Sequence, residues 1–327
     1  VLQRHGYADG VDWVEDLGLS EREPAYSTGL GAMFAGDALE LLRELPAESA
    51  DLVITSPPFP LTRQKEYGNE PLQRYVAWLL PFCDEIRRVL RSKGSFVLDL
   101  GGSWESGKPV RSLYQFDLAI RLARRFKLAQ EFYWYNPSRL PTPAEWVTIH
   151  RIRVKDAVNM VWWFGKTGHP KADNRKVLRP YSRSMRRLLR DGYESRKRPS
   201  GHTISERFGQ DNGGAIPPNM LEIPNTESNS QYLRACRSRG IAPHPARFPA
   251  SLVRFFVDFL TDPCDLVLDP FAGSNVTGAV AESTGRRWLA CDINPAYVQG
   301  SAVRFEDEPV AEPLAAAGRG SGRKARR

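Results

Sequence analysis

The chain has 327 residues, room for one full-size hydrophobic core or two smaller ones. Hydrophobic residues make up 41% and charged residues 26%, the balance of an ordinary soluble globular protein and not of a membrane-embedded one. A surplus of 46 Lys and Arg over 38 Asp and Glu gives a formal charge of +8, which permits a polyanionic partner without requiring one.

Cys83, Cys236, Cys264 and Cys291 form no Cys-x-x-Cys pair and stand near no histidine at zinc-finger spacing. A reduced, cytoplasmic protein without a metal site is the simplest expectation. Residues 1–16 lack a signal-like apolar stretch, no run reaches membrane length, and Val1 in place of Met suggests a trimmed start.

In chain order, residues 1–30 read as an irregular lead-in, and no internal repeat is visible. Ala32–Ala35 forms a short strand ending at Gly36-Asp37, and a helix over 38–45 is stopped by Pro46. Asp51–Thr55 is the next strand, 60–69 a polar loop, 75–90 an amphipathic helix, and Ser95–Leu100 a buried strand. A helix over 113–126 precedes two strands, 128–135 and 157–164, expected to be antiparallel neighbours. The texture then changes: from Lys166 to Arg207, thirteen Lys and Arg face four Asp and Glu, a local net of +9. Residues 166–243 read as a separate loop-rich region. Residues 244–305 return to α/β pattern, with helices over 249–260, 276–283 and 295–305 and strands over 265–269 and 287–291. Residues 306–327 read as a disordered basic tail. Strands alternating with helices imply an α/β fold with a mostly parallel sheet covered on both faces, its ligands beyond the carboxyl ends of the strands.

Asp269-Pro270-Phe271-Ala272-Gly273-Ser274 follows a strand and opens a helix. Gly273 lets backbone pass close to a ligand, and the helix behind it directs unpaired N–H groups there. The loop lacks G-x-G-x-x-G and a P-loop lysine, so it fits a nucleoside carrying a carboxylate better than a dinucleotide or ATP. Asp292, ending the next strand, can accept hydrogen bonds from ribose hydroxyls. Asp37, ending the first, can meet the base end. Taken singly, Asp37 and Asp292 serve as well for helix caps and the Gly273 loop as a tight turn.

Ser56-Pro57-Pro58-Phe59 follows the other apolar strand. The two prolines fix φ and give up their N–H groups, leaving a stiff loop with carbonyl acceptors. Ser56 adds a hydroxyl acceptor, Phe59 a flat face for stacking, and Asp99, ending a neighbouring strand, a carboxylate to accept a hydrogen bond or a proton. Such acceptors suit an exocyclic amine of a nucleobase, whose delocalised lone pair makes it a poor nucleophile until the nitrogen is drawn towards tetrahedral geometry. A rigid turn is the plainer reading of Pro57-Pro58, and a cap or turn role that of Asp99 alone. Pro263-Cys264 lies ahead of the cofactor strand, so Cys264 reads as a connector and not as the nucleophile of a carbon-5 methylase.

Together, Thr55-Ser56-Pro57-Pro58-Phe59, Leu268-Asp269-Pro270-Phe271-Ala272-Gly273-Ser274 and His244-Pro245-Ala246-Arg247-Phe248-Pro249 resemble motifs of the β class of amino-methylating DNA methyltransferases. The resemblance implies a circularly permuted, Rossmann-like fold with a seven-stranded sheet. It places the catalytic part at 31–165, the target-recognition region at 166–243 and the cofactor-binding part at 244–305. S-adenosyl-L-methionine is the implied cofactor, bound by Asp37, Phe248, Pro249, Asp269, Phe271, Gly273, Ser274 and Asp292. The implied catalytic residues are Ser56, Pro57, Pro58, Phe59 and Asp99. Serine at position 56 is typical of cytosine-N4 enzymes, whereas aspartate there is typical of adenine-N6 enzymes.

Lys65–Asn69, Arg151–Val158, Arg198–His202 and Asp211–Gly214 resemble segments of one cytosine-N4 member of that class, which implies a palindromic CAGCTG-type site. Ser274-Asn275-Val276-Thr277 departs from the commoner Gly-Thr-Thr after the serine and leaves the role of Asn275 open. Double-stranded DNA is the expected partner, with Arg198, Ser200, His202, Asn212 and Arg237 as candidates of suitable type to touch it. Trp134, Trp162 and Trp163 read as core. A monomer, genetically paired with a restriction endonuclease in a restriction-modification system, fits this reading. Adenine-N6 methylation, RNA methylation and an inactive DNA-binding relative are the alternatives.

Overall fold

A computed structural model of the chain describes residues 12–60, 70–192, 209–226 and 230–306. The apolar runs become the strands of one sheet: β1 (Tyr26–Ser27), β2 (Gly31–Ala35), β3 (Ala50–Thr55), β4 (Leu90–Leu100), β5 (Lys127–Tyr135), β6 (Val158–Gly165), β7 (Met220–Glu222), β8 (Leu266–Asp269) and β9 (Arg287–Asp292). Their spatial order is β1-β2-β9-β8-β3-β4-β6-β5-β7. From β2 to β4 every pairing is parallel, whereas β6 runs antiparallel between β4 and β5. The expected seven-stranded, mostly parallel sheet is therefore a mixed sheet of nine among the described residues. The two additions, β1 and β7, are two and three residues long, too short to show a period in sequence.

The inner strands are apolar on both faces because both are covered. Phe34, Val53, Phe96, Leu98, Leu268 and Leu289 face one layer, with α2 (Ala38–Glu44), α3 (Leu72–Val89) and α4 (Tyr114–Ala123). Met33, Leu52, Ile54, Val97, Val267 and Trp288 face the other, with α7 (Ala250–Leu260), α8 (Val276–Ser283) and α9 (Pro295–Ser301). Alternate residues of each strand point to opposite layers, as the pleat demands.

Structure also occurs where none was expected. The lead-in carries α1 (Asp12–Glu15) and β1, with Val14 and Leu19 buried. The basic region holds a 3-10 turn at Asn174–Val177, α5 (Arg183–Asp191) and α6 (Gln231–Ser238). α5 buries no residue fully; Met185, Leu188 and Leu189 fall at helical spacing on one face, a stripe of three residues that is short for a signal in sequence. α6 buries Tyr232, Ala235 and Cys236 against Val303, in the 3-10 turn Ala302–Arg304 that ends the helix expected over 295–305. Lys65–Asn69, Arg198, Ser200, His202 and residues 307–327 lie outside the described residues. Among the described residues no helix is long and apolar enough to cross a membrane. The carboxyl ends of β2, β9, β8, β3, β4 and β5 share one edge of the sheet, and the site lies there.

Candidate active site

A cavity of about 770 Å³ opens at that edge, within the range of small-molecule sites. Both motif loops line it: Ser56, Pro57, Pro58 and Phe59 from β3, and Asp269, Phe271, Gly273 and Ser274 from β8. The two strands are parallel neighbours, although their motifs are some two hundred residues apart.

The link between the halves is a carboxylate. Asp269 is buried and accepts hydrogen bonds from Thr55 Oγ1 at 2.7 Å, Thr277 Oγ1 at 2.6 Å and the Phe271 N–H at 3.2 Å. Thr55 immediately precedes Ser56, and Thr277 stands in the first turn of α8. Burial pushes Asp269 up to about 6 although these donors favour its charge.

In the cofactor half, Gly273 has φ 53°, and a Cβ there would fall 3.1 Å from Cε1 of His244. Glycine meets both demands, left-handed backbone and close approach. The Gly273 N–H donates to Asp292 at 2.8 Å and the Asn294 N–H to the same carboxylate at 2.9 Å. A carboxylate offers about four lone pairs, so Asp292 keeps acceptor capacity for a ligand. Desolvation raises its pKa against these two bonds. His244 packs edge-on to Tyr297 at 4.3 Å, and burial lowers its pKa, favouring the neutral imidazole. Phe271 closes one wall with Trp78 and Phe82 of α3 at 5.8 and 5.1 Å.

Asn275 has a structural role here. Its φ of 50° is left-handed, its Oδ1 caps α8 at the Gly278 N–H (2.9 Å), and its Nδ2 donates to the Tyr26 hydroxyl at 3.0 Å. Asparagine tolerates that backbone better than most residues, so it stands where glycine is the commoner choice.

In the catalytic half, Ser56 Oγ donates to Asp99 at 3.0 Å. Asn159 Nδ2 donates to the same carboxylate at 3.2 Å, and Arg139 donates to Asn159 Oδ1 at 2.7 Å. With its proton committed to Asp99, the Ser56 hydroxyl has only lone pairs left for a ligand. Desolvation pushes Asp99 up to about 6; Ser56, Asn159 and the charge of Arg139 act against that rise. Phe59 lies on Gly101, where a Cβ would run into the ring, and the Pro60 carbonyl accepts from Ser103 at 2.6 Å. The loop after Ser56 is thereby held at both ring and backbone.

The remaining predicted residues divide. Asp37 lines the cavity and also caps α2, accepting the Leu39 N–H at 2.6 Å. Phe248 lines the cavity, whereas Pro249 is not among its lining residues and occupies the N-cap position of α7. Asn212, whose N–H donates to the Tyr181 hydroxyl at 2.8 Å, and Arg237, on α6, are not among the residues lining the cavity. Trp134 is buried as expected, yet it also borders the cavity, its Nε1 donating to the Ile223 carbonyl at 2.9 Å. Sequence reasoning missed Trp78, Phe82, Arg139, Asn159 and Asn225. Asn159 had a signal, a lone amide in an apolar strand; Arg139 had none.

A model of the DNA methylase family matches residues 50–304. The type II methyltransferase M.PvuII of Proteus hauseri is 53% identical over 89% of this chain and 88% of its own length. The DNA adenine methyltransferase YhdJ of Escherichia coli K12 is 26% identical over 83% of this chain and 81% of its own. Among solved structures, the PvuII DNA methyltransferase (cytosine-N4-specific) superposes with a TM-score of 0.72 at 47% identity, covering 89% of this chain and 91% of that one. A DNA modification methylase of Thermus thermophilus, complexed with S-adenosyl-L-methionine, shares the fold at a TM-score of 0.53 and 22% identity, over 84% and 92% of the two chains.

Proposed function

Because the chain belongs to the DNA methylase family, we propose that it transfers the methyl group of S-adenosyl-L-methionine to N4 of cytosine in duplex DNA, at a palindromic CAGCTG-type site. One observation carries the reading: the Ser56 loop and the Gly273 loop line a single cavity, coupled through Asp269. The 47% identity to the PvuII DNA methyltransferase (cytosine-N4-specific) supports cytosine N4 over adenine N6.

The cavity fits the cofactor. Asp292 retains acceptors for a ribose, Gly273 lets backbone approach, and the aromatic wall of Trp78, Phe82 and Phe271 offers apolar contact. Bound there, the cofactor supplies an electrophilic methyl group on a sulfonium. The residues of the chain prepare the amine. The target cytosine swings out of the duplex, since its N4 cannot be reached in the stack. Phe59 stacks on the ring, and Ser56 Oγ and the Pro57 carbonyl accept from the two N4–H bonds. These bonds draw the nitrogen towards tetrahedral geometry and aim its lone pair at the cofactor half. After transfer the methylated nitrogen loses a proton, which passes by way of Ser56 to Asp99. No covalent enzyme intermediate is formed, and positioning supplies most of the rate.

Residues 166–243 are assigned to target recognition. α5 presents Arg183, Arg186, Arg187 and Arg190, of which the last two pair with Asp191. Arg198, Ser200, His202, Asn212 and Arg237 remain the residues to test at base edges. A monomer acting on each strand in turn, in the cytoplasm and beside a restriction endonuclease of the same specificity, completes the proposal.

The test uses labelled cofactor and a CAGCTG duplex, digested to nucleosides after reaction. Label in N4-methylcytosine is expected, whereas label in N6-methyladenine overturns the assignment. Plasmid recovered from cells expressing the chain should resist a CAGCTG-cleaving nuclease.

A further inference from the structure

The connection from β5 to β6, residues 136–157, is rooted at the cavity: Asn136 and Arg139 line it, as does Asn159 in β6, just past its end. Four of its aliphatic side chains stand in solvent, with Leu140 75% exposed, Ile149 71%, Ile152 61% and Val154 85%. Single exposed aliphatics need no account. Four on one loop rooted in a site mark an interaction surface.

The loop is also basic and braced. Arg139, Arg151, Arg153 and Lys155 outnumber Glu145 and Asp156. Asp156 is engaged by Arg111 at 3.2 Å and by Arg153 at 3.6 Å. Lys155 donates to the carbonyls of Pro137 and Arg139, Arg153 lies over the Trp104 ring, and Trp146 stacks on His150 at 5.1 Å. Residues Glu145–Ile149 are wound as a π-helix, and Arg151 has φ 57°, a region unfavourable for arginine. Such local strain persists only where the surroundings hold it, and it concentrates at functional sites. Here it lies between the exposed Ile149 and Ile152.

We propose that this loop is a wedge: aliphatic side chains among Ile149, Ile152 and Val154 enter the duplex beside the target cytosine and fill the space its departure leaves, while Arg151 meets a neighbouring phosphate. The inference rests on the reading that an extrahelical base in duplex DNA is the substrate. Charge favours this occupant, because an apolar surface flanked by arginine and lysine suits stacked bases between phosphates. Apolar side chains inserted at a base step offset unstacking.

The experiment places 2-aminopurine at the target cytosine of a CAGCTG duplex, so that emission rises on extrusion without methyl transfer. The full chain with S-adenosyl-L-methionine is compared with Ile152→Ser/Val154→Ser and with Ile120→Ser, a control on α4 that is 60% exposed. Emission should rise severalfold with wild type and control. The double variant should lower the extrusion equilibrium by on the order of tenfold, equivalent to about 1.4 kcal/mol. That deficit should shrink below about threefold when the opposite strand lacks the paired base, because less pairing energy then opposes extrusion. Methyl transfer to an unmodified duplex is measured in parallel. Absent transfer with an intact, wedge-dependent emission response sinks the methylation reading and supports the wedge. Emission that fails to rise with wild type, or that ignores the serine substitutions, overturns the wedge.

Discussion

Replacing Asp99 by asparagine should make the protein slower and, above pH 6, more stable. Asp99 is 3% exposed and accepts from Ser56 and Asn159. Burial raises its pKa from 3.8 to about 6. At 1.36 kcal/mol per pKa unit, keeping this carboxylate ionised in the fold costs about 3 kcal/mol at pH 8. For a group raised in the folded state, the contribution to stability is complete below about pH 4 and is lost as pH climbs through about 6. Between pH 5 and pH 8 the advantage of wild type over Asp99→Asn should therefore fall by about 1.4 kcal/mol. Urea unfolding of both proteins at the two pH values measures this directly. Activity should move the other way. The asparagine is uncharged and poorly suited to take a proton, so single-turnover transfer should drop by about 10²–10⁴-fold, the usual worth of a positioned base. Wild-type transfer should fall off below about pH 6, where Asp99 takes up a proton, and the variant should lose that dependence. A stability difference that stays constant from pH 5 to pH 8 would refute an elevated pKa. Full turnover in the variant would refute a proton-accepting role.

Ser56→Ala should lower single-turnover rate by about tenfold to a hundredfold, the worth of one lost transition-state hydrogen bond, with cofactor affinity unchanged by calorimetry. Gly273→Ala meets both a left-handed φ and the His244 ring; cofactor affinity should fall at least about tenfold, and adding His244→Ala should restore only part of it because φ remains unfavourable. Asn275→Ala removes the α8 cap and the bond to Tyr26 and leaves alanine at φ 50°; a loss of about 2–3 kcal/mol in urea unfolding is expected. Charge reversal of Arg183 and Arg186 on α5 should flatten the salt dependence of duplex binding by about two phosphate contacts, without changing single-turnover rate at saturating DNA.

The inner strands and both motif loops were legible because each is a short apolar run buried on two faces and closed by chemistry-bearing residues. Ala50–Thr55 and Leu266–Asp269 differ from expectation by a residue at most. The antiparallel pairing of β5 and β6 was likewise readable from two apolar runs with no long amphipathic helix between them to carry a parallel crossover. What escaped had no such signature. β7 is three residues long, and α5 carries only a short, half-buried apolar stripe of Met185, Leu188 and Leu189. Arg139 lines the cavity and donates to Asn159, a contact set by the antiparallel register of β6 against β4 and β5. Asp269 was assigned to the cofactor from its motif alone. Its threefold hydrogen bonding to Thr55, Thr277 and Phe271 makes it a brace as well, a role that depends on which strand lies beside β8.

That brace has a consequence for the gene. Thr55 and Thr277 meet at Asp269 because β3, which carries Thr55, lies beside β8, which ends in Asp269 and leads into the helix of Thr277, whichever strand is synthesised first. Parallel neighbours need a long connection in any case, so exchanging which segment precedes which leaves the seam intact so long as the joins keep clear of the carboxyl edge. A pocket sewn together across the sheet in this way is indifferent to reading order, and a rearranged coding sequence can still close it.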